Sequence, residues 1–268
     1  MFKAPHTVTR RATRENLRAL ARMRVFTTEE LSKFFRVSAP HAAGLAFDLR
    51  KRGFLTQVQR GVYASVPLEV DLARFTPDPY LVVHHALGDR YAFSHRSALS
   101  LLGAEQTVRK SFHVTAAGVR SRSRRLGPYT VRVHSSAPGR SRSVTTSVRR
   151  GTDSLRVTTP EQTLVDLASL PNSEQDYEED VEAFRTLLPR VDPNQLLERA
   201  EAAPHASTRA RVGHLLEVTA GADPKIASVV RALERAVASA GPSYFATAPH
   251  NPANRFDAAF KLVYPGGA

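Results

Sequence analysis

A serine and a histidine stand side by side at Ser94-His95, with Ser97 just behind, and such a pair is raw material for nucleophilic hydrolysis. The chemistry needs more than adjacency. The base must face the nucleophile and be oriented by a carboxylate, and adjacent residues of one helix do not face each other. No orienting carboxylate follows nearby, so Ser94 reads as a helix cap and His95 as a packed or hydrogen-bonded residue. The ten histidines show no H-E-x-x-H or comparable ligand spacing, and His84-His85 are helix neighbours expected to point apart. Asp257 and Lys261 are residue types of a nuclease core, but the Glu-x-Lys pair that belongs with them is missing. There is no glycine-rich phosphate loop, and the absence of cysteine removes thiol nucleophiles, disulfides and Cys-ligated zinc. The expectation is a protein that is not an enzyme, with no catalytic residue, metal or cofactor.

Basic side chains carry the clearer signal. Thirty-eight Lys plus Arg stand against 25 Asp plus Glu, a net charge of +13. Residues 1–66 carry a net +9, and residues 107–150 a net +11 without a single acidic side chain, while 67–106 and 151–268 are net negative. Such a field attracts polyanions at long range but does not define a fold. The N-terminal residues lack the apolar run of a signal peptide, and no run of 18 apolar residues occurs, so a cytoplasmic protein without a membrane segment is expected.

The elements that would position these charges follow from periodicity and caps. A helix is expected over about 13–23, with Leu17, Leu20 and Ala21 on one side. Thr27-Thr28-Glu29-Glu30 is a capping box that opens a second short helix. Ser38 caps a third, with Pro40 in its first turn, Ala42, Leu45 and Leu49 as its buried stripe, and Gly53 at its end. Residues 54–58 and 62–64 form a hairpin around Arg60-Gly61. Three helices followed by a hairpin is the winged helix-turn-helix order.

Further on, Asp78-Pro79 opens a helix to about Leu87, and another runs from Ser94 to Leu102. Strands are expected at 111–115, 129–134, 144–147 and 155–158, with Ser-, Gly- and Arg-rich loops between them. Thr159-Pro160-Glu161-Gln162 starts a helix, and others fall near 177–188, 193–203 and 207–219. Tyr244-Phe245 and 256–264 read as a terminal strand pair. The fold class is α+β: residues 1–66 a winged helix-turn-helix with a basic N-terminal arm, residues 67–268 a mixed helix and antiparallel-sheet domain, open to subdivision near 170–190.

This order of motifs resembles the AbiEi antitoxin family of type IV toxin–antitoxin systems. The resemblance rests on Arg60-Gly61-Val62-Tyr63, Asp78-Pro79-Tyr80, Ser94-His95-Arg96-Ser97-Ala98-Leu99 and Thr159-Pro160-Glu161-Gln162-Thr163-Leu164-Val165-Asp166, and spans residues 13–220. It implies a two-domain repressor that binds inverted repeats in double-stranded DNA of its own promoter. It also implies an antitoxin, active in phage defence, that counteracts a nucleotidyltransferase-like toxin, AbiEii, encoded beside it, without a stable complex.

In a winged helix the third helix enters the major groove, where base readout needs polar side chains on its outward side. Here that side is mostly Ala39, Pro40, His41, Ala43, Gly44 and Phe47, and only His41 can donate to a base edge or phosphate. Three readings stay open: His41 reads a base, Ala or Pro touches a thymine methyl, or specificity lies in the arm and wing. The candidate DNA contacts are Arg10, Arg11, Thr28, Ser38, His41, Lys51, Arg52 and Arg60, with Lys33, Arg36 and Arg50 nearby. Thr28 and Ser38 would offer hydroxyls or helix N-termini to phosphate. Arg10, Arg11 and Arg14 are either a minor-groove arm or a tail without a role.

Arg120, Arg122, Arg124, Arg125, Arg140, Arg142, Arg149 and Arg150 make a second basic surface, expected in loops and at strand ends. It is offset either by the acidic stretch at 174–182 or by an external polyanion. Two other functions compete with the antitoxin: a stand-alone winged-helix regulator whose C-terminal region senses a ligand or partner, and a nucleic-acid-processing enzyme.

Overall fold

The computed structural model describes residues 14–266 except 68, 106, 108, 137–143, 172, 174, 222 and 247–250. They fall into two compact units. The first holds the described residues up to Tyr91 together with Ser123–Val131 and Arg149–Leu155; the second holds Ala92–Arg122, Arg132–Val148 and the chain from Arg156 onward.

The first unit begins with α1 (Arg14–Met23), β1 (Val25–Thr27), α2 (Thr28–Phe35), α3 (Ala39–Lys51), β2 (Leu55–Gln59) and β3 (Val62–Ser65). The strands form one antiparallel sheet in the order β1-β3-β2, with Val25 opposite Ala64 and Leu55 opposite Ser65. This is a winged helix. Its second helix starts at the expected capping box: the Glu30 N–H donates to Thr27 Oγ1 at 3.2 Å, and the Thr27 N–H donates to the Glu30 carboxylate at 2.6 Å. Two backbone groups otherwise left without partners are thereby satisfied. Arg36, in the left-handed region at φ 53°, ends α2 and turns the chain toward α3.

Leu20, Phe26, Leu31, Phe35, Ala42, Ala46, Leu49, Leu55 and Tyr63 meet in one core. Each large apolar side chain so buried contributes on the order of 2 kcal/mol against conformational entropy. The stripe on α3 is therefore Ala42, Ala46 and Leu49, with Leu45 at its margin. The sheet has one more strand than the hairpin alone supplies. β1 is only three residues long, too short to show a period of its own, and it exists because β3 pairs with it. After the wing, α4 (Pro79–Leu87) opens with the Tyr80 N–H donating to the Asp78 carboxylate at 3.0 Å, and it packs on β1 and β3.

The chain continues with β4 (Ala92–Phe93), α5 (His95–Leu101), β5 (Ser111–Ala117), β6 (Arg122–Leu126), β7 (Tyr129–Ser136), β8 (Thr145–Arg150) and β9 (Asp153–Thr158). These strands form a sheet in the order β6-β7-β5-β4-β9-β8, with β4 antiparallel to β5 and parallel to β9. Helices α6 (Pro160–Ala168), α7 (Tyr177–Leu187), α8 (Pro193–Glu201), α9 (Ala206–Thr219) and α10 (Pro224–Val237) follow. The chain closes with β10 (Ser243–Tyr244), β11 (Asn254–Asp257) and β12 (Leu262–Pro265) in the order β10-β12-β11. The terminal strand pair is thus a three-stranded sheet. Among the described residues, no helix is long and apolar enough to cross a membrane.

Candidate nucleic-acid interface

Helix α3 turns Ala42, Ala46 and Leu49 inward, so its period forces Ala39, Pro40, His41, Ala43, Gly44 and Phe47 outward, and all six are exposed. Phe47 is 56% exposed, high for a large aromatic side chain. Lys51 holds its ammonium 5.4 Å from the Phe47 ring centroid. Arg52 lays its guanidinium 4.9 Å from the ring of Phe54. Both cations are exposed. The adjacent Arg50 donates to the side chain of Gln57 on β2 at 2.6 Å, which ties the end of α3 to the wing. Arg60 is exposed at the wing turn, where Gly61 takes φ 79°.

The two hydroxyls differ from expectation and from each other. The Thr28 N–H donates to the Gly61 carbonyl at 2.9 Å, and its hydroxyl reaches the same oxygen at 3.4 Å. Thr28 therefore latches α2 to the wing turn instead of presenting donors outward. Ser38 is exposed at the start of α3, and its side chain makes no cap hydrogen bond. Arg10 and Arg11 lie outside the described residues.

The second basic surface separates into unlike parts. Arg120, Arg122, Arg124, Arg125 and Arg149 are exposed, and none forms an ion pair with a described carboxylate. Arg122, Arg124 and Arg125 sit on strand β6 at the sheet edge, not in a loop. Arg150 is no part of a free surface: its Nε donates to Asp78 at 2.7 Å, and its guanidinium lies 4.7 Å from the Tyr80 ring. Arg140, Arg142 and Glu174 lie outside the described residues. Of the acidic stretch, Glu179 and Asp180 are taken up by Arg96, each at 2.9 Å, and Glu179 also meets Arg109 at 2.7 Å. Burial pushes the Asp180 carboxyl up to about 7, against the pull of Arg96. Arg109 is the one cation of the 107–150 block that this stretch meets among the described residues.

Ser94 and His95 do touch, contrary to the helix-neighbour reading. Ser94 is extended and precedes α5, while His95 takes φ 51°, and the Ser94 hydroxyl lies 2.9 Å from His95 Nδ1. Ser94 thus occupies the cap position without capping. His113 and His134 join His95 through the sheet order, a proximity that residues 18 and 21 positions apart do not announce. Asp257 likewise has a partner the sequence hides. It lies 2.6 Å from His214 Nδ1, and His214 Nε2 meets the Tyr177 hydroxyl at 2.9 Å.

Residues 91–218 match the family model of the AbiEi antitoxin C-terminal domain. This part of the chain is similar to the C-terminal domain of AbiEi antitoxins. The antitoxin role of a toxin–antitoxin system follows for the AbiEi domain, and that family is regulatory in character. A solved structure, that of the RV2827C protein from Mycobacterium tuberculosis, superposes with a TM-score of 0.67 at 21% sequence identity, covering 94% of this chain and 90% of that one. That likeness concerns the fold. No curated protein matches the chain in sequence.

Proposed function

We propose that the chain is an autorepressing antitoxin of a type IV system. Its winged helix binds double-stranded DNA at inverted repeats of its own promoter, and the rest of the chain, residues 67–268 by this reading, neutralises a nucleotidyltransferase-like AbiEii toxin. The observation that carries the DNA reading is the solvent face of α3, flanked by the exposed cations Lys51, Arg52 and Arg60. Ser38, His41 and the phosphate-reaching cations supply donors, with Arg10 and Arg11 as an arm in the adjacent minor groove. Because the rest of that face is small or apolar, phosphate contacts dominate, and sequence preference is modest.

Arg120, Arg122, Arg124, Arg125 and Arg149 extend the contact to a polyanion, since no described carboxylate neutralises them. Neutralisation of the toxin proceeds without a stable complex, and the protein acts in the cytoplasm as a regulator and not an enzyme.

Two assays test this in cells. Co-expression with the nucleotidyltransferase encoded by the adjacent gene should restore growth, and a reporter fused to the chain's own promoter should be silenced. Failure of rescue with intact silencing would leave a regulator that is not an antitoxin.

A further inference from the structure

Three imidazoles meet inside the second unit, from β5, from β7 and from the residue that opens α5. His113 Nδ1 and His134 Nε2 are 3.0 Å apart, and the His95 ring stacks 4.0 Å from that of His134. One ring nitrogen from each histidine lies within 4.8 Å of the other two. His95 and His113 are buried, at 4% and 6% exposure. We propose that His95, His113 and His134 form a binding site for a divalent transition metal, with Zn2+ as the fitting ion.

The donor set argues for that class. Imidazole nitrogens suit zinc and its transition-metal neighbours, whereas magnesium and calcium ask for oxygen ligands. Zinc–imidazole bonds of about 2.0–2.1 Å put two ligand nitrogens on one ion roughly 3.3 Å apart, close to the His113–His134 separation. Only neutral imidazole can ligate, and burial favours that form of His95 and His113. Burial first, then the neighbouring His134, pushes His113 down to about 3; burial, His134 and His113 push His95 well below the ordinary range.

Ser94 Oγ lies 2.9 Å from His95 Nδ1, and in the tautomer whose Nδ1–H donates to that hydroxyl, Nε2 carries the lone pair. His95 is also held in a left-handed backbone conformation, with φ 51°, that residues bearing a Cβ rarely adopt. Such strain is kept where surrounding structure fixes a side chain for a purpose. Loading asks for small changes. One ring of the His113–His134 pair moves its proton to its other nitrogen, and the stacked planes turn about χ2, a soft torsion.

The two other histidine clusters are chemically different. His85 has its nitrogens at Glu30 and Asp153, and His214 has its nitrogens at Asp257 and Tyr177, so each central ring is already held on both sides.

The test uses the full chain, purified without a polyhistidine tag and stripped with chelator. Calorimetric titration with ZnCl2 should give one equivalent bound in the micromolar range or tighter. His113→Gln and His134→Gln should each weaken binding at least about 10-fold, as loss of a ligand does. His214→Gln, in a separate cluster, should leave it unchanged. Imidazole 1H–15N spectra of the wild-type chain provide a readout that does not depend on the variants folding: on zinc addition three histidine rings should shift together. Absence of one-equivalent binding by the wild type, equal affinity in His113→Gln, or shifts confined to other rings would each overturn the site.

Discussion

His85 Nδ1 lies 3.0 Å from Glu30 Oε2, so a buried imidazole of α4 closes onto the same carboxylate that completes the capping box of α2. The other nitrogen of that ring lies 3.3 Å from Asp153. Burial acts to raise the Glu30 carboxyl, but hydrogen bonds from His85 and the Thr27 backbone outweigh it and hold the group at about 2. Burial likewise acts to lower His85, and its bonds to Glu30 and Asp153 overcome that and raise it above its ordinary 6.5. Helix α2, which supports α3, is thereby tied to the helix that follows the wing.

This tie should be pH-dependent in a definite direction. The His85 contribution is fully present below about 6.5 and is lost as pH rises through the raised folded value. The Glu30 contribution is full above 4.5 and fades as pH falls toward about 2. The melting-temperature gap between wild type and His85→Gln should be widest between these limits, near pH 5–6, and should narrow on going to about pH 9. A gap that stays constant with pH would show that the ring acts by packing alone.

Gly213 on α9 has no room for a side chain. A Cβ built there would stand 2.1 Å from the Phe260 ring, which is itself buried. Gly213→Ala should therefore destabilise the second unit by about 1–3 kcal/mol, despite alanine's better helix propensity. Urea denaturation checks this; a stabilised variant would mean that the ring gives way freely.

The buried pair Arg96–Asp180 should resist removal of one partner. Asp180 is fully buried and Arg96 is 5% exposed. Asp180→Ala leaves the guanidinium with the half-exposed Glu179 alone and should cost roughly 3 kcal/mol, since a buried charge that loses its buried partner is expensive. Chemical denaturation of Asp180→Ala beside Glu179→Ala measures it, with the smaller loss expected for the half-exposed Glu179.

Much of this architecture is written in short local signals. Thr27-Thr28-Glu29-Glu30 opens a helix through its capping box, and Asp78-Pro79, Thr159-Pro160 and Asp192-Pro193 each open one through a cap and a proline, because those interactions lie within four residues. Asp223-Pro224 is the same signal and opens α10, a helix the periodicity reading of the chain leaves unassigned.

Strand β6 has no such signature. Its Arg-Ser sequence alternates nothing apolar, as an exposed edge strand can, and it reads as loop until β7 pairs with it. The outward face of α3 was legible because helix period fixes it. The Thr28–Gly61 latch and the histidine cluster were not, since both depend on pairings between distant strands and turns.

The edge-strand arginines should register in salt dependence. Each phosphate contact contributes about 0.9 to the slope of log affinity against log salt, so Arg122→Ala with Arg124→Ala should flatten the slope by roughly 1–2. An unchanged slope would assign those arginines to a partner other than DNA.

The most direct measurement is fluorescence anisotropy of the full chain on its own upstream DNA, comparing wild type with Lys51→Ala/Arg52→Ala/Arg60→Ala at several salt concentrations. If the winged helix binds through phosphate contacts, the triple variant should lose at least about 10-fold in affinity, and its salt slope should fall by about 2–3. Equal affinity and equal slope in the two proteins, with the variant folded, would contradict DNA binding by the winged helix.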